Sequence, residues 1–88
     1  MKLKKDLVLR QIADTWVVLP LGDTLVDFSG MLSLNETGAF LWEHLEKGCN
    51  QDELVKALTG EYDVSAREAA ADVAAFLEKL WKAGCFEA

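Results

Sequence analysis

One stretch, Ser65-Ala-Arg-Glu-Ala-Ala-Ala-Asp-Val-Ala-Ala-Phe-Leu-Glu-Lys-Leu-Trp-Lys-Ala-Gly84, constrains this chain more than any other. Ser65 with Glu68 three positions on is a capping-box pattern: the hydroxyl accepts an orphan amide while the carboxylate reaches back. Gly84 suits the left-handed position that closes a helix, with Cys85 placed to touch Leu80. The 18 residues between the two signals predict roughly 27 Å of helix. At about 100° per residue, Ala83, Phe76, Ala69, Leu80, Val73, Leu77, Ala70, Trp81 and Ala74 follow one another over roughly 180°. Arg67, Glu68, Asp72, Glu78, Lys79 and Lys82 take the other half. A surface helix needs an apolar stripe of only about 100°. The excess arc therefore asks for a second partner, or for a position between a sheet and other helices.

Composition narrows the partner. The chain has 88 residues with half of them apolar, enough for one small domain with a core of its own. No apolar run approaches the length of a membrane span. Met1-Lys-Leu-Lys-Lys-Asp has the charge of a signal peptide, but Arg10, Gln11 and Asp14 break the following apolar stretch. The expected location is the cytoplasm. Nine basic against 15 acidic residues give a net charge of −6, which argues against nucleic acid and anionic membranes. The basic residues that cluster, Lys2, Lys4 and Lys5, fall in a terminus expected to be mobile.

Residues 7–12 and 15–21 are short runs rich in β-branched and aromatic residues, with Ala13-Asp14 as the turn between them. The second run is apolar on both faces, which suits a central strand, and Pro20 should mark its end. A third strand is expected over about 30–34, with 24–28 extended, Leu32 and Leu34 turned to the core, and Met31 and Ser33 turned away. From Asn35 the period changes. Asn35 caps a first helix carrying Leu41, Trp42 and Leu45 and ending at Gly48. A second starts at Asn50, with Glu53 completing a capping box, and stops at Gly60. The Ser65–Gly84 helix is the third. Sequential strands with short loops give an antiparallel meander β1-β2-β3, and the last two helices form a helix-turn-helix-like pair. The fold class is α+β: a three-stranded antiparallel sheet followed by three helices, as one domain over 1–88. The third strand lies at an edge with one row of backbone groups unpaired.

Gly30-Met-Leu-Ser-Leu-Asn-Glu-Thr-Gly-Ala-Phe-Leu-Trp-Glu-His-Leu45 resembles the PqqD-like family. The carrying features are Leu34-Asn35 at the end of a strand, the small segment Thr37-Gly38-Ala39 and the pair Leu41-Trp42, followed by a polar-capped second helix and a long third. The likeness extends over about residues 5–86. It implies a winged helix-turn-helix-like domain that recognises the leader part of a ribosomally made precursor peptide. Such a domain presents the leader to a modifying enzyme, often of the radical S-adenosylmethionine type. It further implies that the leader adds as a strand to the third strand against the third helix. Mapped onto this chain, the peptide-binding residues are Gly30, Met31, Leu32 and Ser33 through their backbone, with one flank of the third helix. Ala70, Val73, Ala74 and Leu77 are small enough to leave pockets, with Trp81 at the far end; Ala69, Phe76 and Ala83 form the alternative flank. No fused enzyme domain is evident, so the chain would act as a separate chaperone without cofactor.

Strand addition alone cannot hold such a peptide. Five backbone hydrogen bonds give roughly 5 kcal/mol, whereas ordering six residues costs about 6–12 kcal/mol. Apolar leader side chains, each worth about 1.5–3 kcal/mol on burial, must fill a wall of the groove.

Other functions fit less well. Paired catalytic carboxylates in an apolar setting, a nucleophile elbow and a phosphate-cradling glycine loop are all missing, so no catalytic residue is named. Cys49 and Cys85 read as small semi-buried hydrophobes and His44 as structural, with too few ligands nearby for a metal. The third helix has balanced charge and an apolar half, unlike a DNA-recognition helix. The principal alternative is a general protein-interaction module, including a homodimer built by pairing two third strands.

Overall fold

β1 (Leu7–Ile12) and β2 (Thr15–Pro20) form an antiparallel hairpin in register from Leu7↔Pro20 to Ile12↔Thr15. The structure, a computed structural model, describes residues 2–21 and 32–87. The two-residue turn at Ala13-Asp14 is made without glycine, because Ala13 takes the left-handed conformation at φ 55°, at a cost of about 1–2 kcal/mol. β2 lies centrally. It also pairs antiparallel with β3 (Leu32–Leu34) through Trp16↔Leu34, Val17↔Ser33 and Val18↔Leu32, giving the expected order β1-β2-β3. Val17 and Val18 are both buried, as a strand covered on two faces requires, and Pro20 is the last residue of β2. Leu32 and Leu34 point into the core while Ser33 is exposed. Gly30, Met31 and the extended segment expected over 24–28 lie outside the described residues.

Three helices follow: α1 (Glu36–Glu46), α2 (Gln51–Glu61) and α3 (Ala66–Ala83). Asn35 caps α1 by accepting the Gly38 amide at 2.8 Å. A Cβ on Gly38 would come within 3.2 Å of Leu34 Cβ, so the glycine lets the start of α1 seat directly on the end of β3. Asn50 and Glu53 cap α2 reciprocally, with the Glu53 amide donating to Asn50 Oδ1 at 2.8 Å and the Asn50 amide donating to Glu53 Oε1 at 2.9 Å. Contrary to expectation, α2 runs through Gly60 and ends at Glu61. An isolated glycine costs a helix only about 1 kcal/mol, and here the extended Tyr62 makes the stop.

At the start of α3 only half of the expected capping box forms. The Glu68 amide donates to the Ser65 hydroxyl at 3.1 Å, but the Glu68 carboxylate accepts from that same hydroxyl rather than from the Ser65 amide. The other end is as expected. Gly84 adopts φ 80°, its amide donates to the Trp81 carbonyl, and the Cys85 amide donates to the Leu80 carbonyl, a Schellman closure.

The amino-terminal segment departs from its expected mobility. Leu3 bridges Phe86, the Lys4 amide donates to the Cys85 carbonyl at 2.9 Å, and the Glu87 amide donates to the Lys2 carbonyl at 2.8 Å. This pairing follows from burial. Cys85 and Phe86, just past α3, are buried among Leu7, Trp42 and Leu80, and the segment that covers them finds its backbone partners there.

Candidate functional site

The wide apolar arc of α3 divides once the helix is placed. Ala69, Val73, Phe76, Leu77 and Leu80 are buried, and at 100° per residue they cover about 100°, the stripe of an ordinary surface helix. Ala70, Ala74 and Trp81 lie exposed beyond it on one flank, and Trp81 packs its ring on Phe86 at 4.7 Å between centroids. The flank expected to wall the groove is therefore not a single surface. Val73 at 0% and Leu77 at 5% exposure belong to the core, in one cluster with Leu54 and Leu58 of α2, the element α3 packs against. Leu32 is also core, with 8% exposure, and does not line the open groove.

The open groove lies along the other flank. A cavity of about 720 Å³ separates Ser33 and Leu34 from Asp72, Ala75, Phe76 and Lys79 of α3. The start of α1 at Asn35, Thr37 and Gly38 lines it, as does the β1–β2 turn at Asp14 and Thr15. Leu34, Leu41 and Phe76 contribute the apolar surface, and polar groups stand around it. Of the alternative flank expected from the sequence, Phe76 lines the groove, whereas Ala69 is buried in the core and Ala83 is not among the lining residues. Asp72, Ala75 and Lys79 carried no signal in the sequence, since polar and alanine positions on an outer helical face look alike whether they meet solvent or a groove.

The edge strand has a definable polarity. Ser33 accepts a hydrogen bond from Lys79 Nζ at its carbonyl, 2.9 Å away. That carbonyl therefore faces away from β2. Alternate residues of an antiparallel strand turn both backbone groups to the same side. The Ser33 N–H thus faces outward as well, while Leu32 and Leu34 turn theirs to β2. Within the described part of β3, Ser33 presents the donor and acceptor that an added strand would meet.

Little else here suggests chemistry. Burial pushes the Cys85 thiol from 9.0 up to about 11, a rise that the nearby Lys4 charge only partly offsets, so it is an inert thiol rather than a nucleophile. Cys49 and Cys85 are both free. His44 lies with Nδ1 2.9 Å from the Phe40 carbonyl and its ring against Phe40, a structural position on α1. Among the described residues, no group of three His, Cys, Asp or Glu side chains is placed to hold a metal ion.

A meander of three strands, three capped helices and a groove between the edge strand and the last helix define an α+β domain of winged helix-turn-helix type. The sequence profile described as "Coenzyme PQQ synthesis protein D (PqqD)" matches residues 15–85, and the chain belongs to that family. Among solved structures, "TbiB1 in Complex with the TbiA(beta) Leader Peptide" superposes with a TM-score of 0.80 at 30% identity, over 99% of this chain and 95% of that one. "Lasso peptide synthetase B1 complexed with the leader peptide" superposes with a TM-score of 0.76 at 26% identity, over 96% and 93%. No curated protein sequence matches the chain.

Proposed function

We propose that this chain is a non-catalytic adaptor of the cytoplasm, a single domain that binds the leader of a ribosomally synthesised precursor peptide and presents it to a modifying enzyme. The observation that carries the reading is the open groove between the outward edge of β3 at Ser33 and the Phe76 flank of α3. The leader lies in it as an added strand. Ser33 supplies backbone pairing, and Gly30 and Met31 precede it in the chain. The leader's apolar side chains rest on Ala75 and on the groove-facing edges of Leu34, Leu41 and Phe76, which are otherwise part of the core. Both solved relatives were captured with leader peptides bound, which supports the same class of ligand here.

The energetics require both walls. Two backbone bonds at Ser33 are worth about 0.5–1.5 kcal/mol each, well short of the roughly 8 kcal/mol of a micromolar complex. Apolar side chains buried in the groove, at about 1.5–3 kcal/mol each, must supply the difference and the cost of ordering the peptide as well.

The test is an amide-shift titration of the isotopically labelled chain. The ligands are the TbiA(beta) leader peptide and, separately, the leader of any short precursor found encoded beside its gene. Shifts concentrated on 32–38 and 72–79 are expected. Saturable binding whose shifts fall on Ala70, Ala74 and Trp81 instead would place the peptide on the wrong flank, and no binding by either peptide would remove the adaptor reading.

A further inference from the structure

We propose that Lys79 is a guard on the β3 edge. Its ammonium closes the outward acceptor of Ser33 in the free protein and is exchanged for a backbone N–H of the incoming strand. The inference rests on the peptide-binding reading above and adds how that site is regulated.

Lys79 and Ser33 are 46 positions apart in the chain, and the 2.9 Å bond between them ties one wall of the groove to the other. The acceptor is not a carboxylate. On the same helix Lys82 pairs with Glu78 at 3.1 Å, whereas Lys79 is directed to a backbone carbonyl, although Asp72 lines the same groove. Among the described residues of β3, that carbonyl is the acceptor open to an added strand, because Leu32 and Leu34 turn their backbone groups to β2. A lysine over an unpaired edge is a recurrent device against unwanted edge-to-edge pairing. Here the device sits at the place where wanted pairing also begins.

The exchange conserves hydrogen bonds at the protein. Ser33 gives up an ammonium donor and gains an amide donor, and the exposed ammonium returns to water. The guard therefore reduces affinity by about the net worth of one exposed charged hydrogen bond. Removing the charge while keeping the aliphatic stem, as in Lys79→Met, should tighten peptide binding about 2–10-fold. Lys79→Arg keeps a donor and should bind within about twofold of the original chain.

Two measurements on the full chain test this. Calorimetric titration with the TbiA(beta) leader peptide compares the original chain, Lys79→Met and Lys79→Arg. In the free proteins, the Ser33 carbonyl carbon shift reports the hydrogen bond directly, and it should move upfield in Lys79→Met alone. Tighter binding by Lys79→Met together with that carbonyl shift is the expected result. Unchanged or weaker binding by Lys79→Met, or an unchanged Ser33 carbonyl, overturns the guard. If the original chain binds no leader at all, the peptide-binding reading fails separately. The carbonyl shift then decides whether Lys79 still closes the edge in the free protein.

Discussion

Val73 distinguishes the two flanks of α3 most sharply, because its side chain is fully buried. Val73→Asp removes a buried apolar side chain worth about 1.5–3 kcal/mol and puts a carboxyl in its place. At pH 7 that carboxyl must either ionise in the core or stay protonated. Staying protonated about three pH units above its ordinary value of about 3.9 costs about 4 kcal/mol, at 1.36 kcal/mol per unit. The sum is about 6 kcal/mol, comparable with the whole stability of roughly 4–13 kcal/mol expected for a domain of this size. The variant should be largely unfolded at pH 7. The introduced group has its folded pKa raised, so the penalty is absent below its unfolded value and grows as pH rises through it. Val73→Asp should therefore regain much of its helical signal near pH 4, relative to the original chain at the same pH. Val73→Asn should be destabilised to a similar extent at both. Urea unfolding followed by far-ultraviolet circular dichroism at the two pH values measures this. A cooperative transition for Val73→Asp at pH 7 within about 1 kcal/mol of the original chain would show that Val73 faces solvent or a groove, and the assignment of the core arc would be wrong.

Three further outcomes are expected. Ala75→Arg, on the exposed groove-lining flank, should leave stability within about 0.5 kcal/mol yet weaken leader binding at least about tenfold, read by fluorescence anisotropy beside a thermal melt. Gly84→Ala forces a side chain onto a residue at φ 80°; it should cost about 1 kcal/mol and lower the melting temperature by about 4–8 °C in calorimetry. Because the Cys85 thiol is raised from 9.0 to about 11, it stays protonated in the fold while the unfolded chain ionises. Its contribution is complete below pH 9 and lost as pH climbs to 11, with a slope approaching about 1.4 kcal/mol per unit. Cys85→Ala should lack that part of the slope in urea titrations across the same range.

Much of the site's frame was readable in the residues themselves. Asn35, Asn50 and Ser65 mark helix starts because their short side chains accept orphan amides three positions on, whatever surrounds them. The strand run with Val17 and Val18 announced a central strand by being apolar on both faces. Gly60 misled, since glycine permits a helix end without requiring one, and the helix continued for one more residue. The basic amino-terminal segment misled as well. Its Leu3 and Lys4 pair with Phe86 and Cys85, a long-range contact that no local pattern encodes.

The sequence by itself determined that α3 exists, where it starts and stops, and that its apolar girth exceeds what one neighbour needs. These follow from capping chemistry and a 3.6-residue period, which act within a few positions. Which part of that girth stays open was decided only by tertiary packing. Packed against α2, the helix buries Val73 and Leu77. Its Ala70–Trp81 flank is left outside, and Asp72, Ala75, Phe76 and Lys79 face the edge of β3. A helical wheel carries no direction toward its neighbours. The rotation of α3 about its own axis is fixed by the burial of Ala69, Val73, Leu77 and Leu80 among core residues far away in the chain.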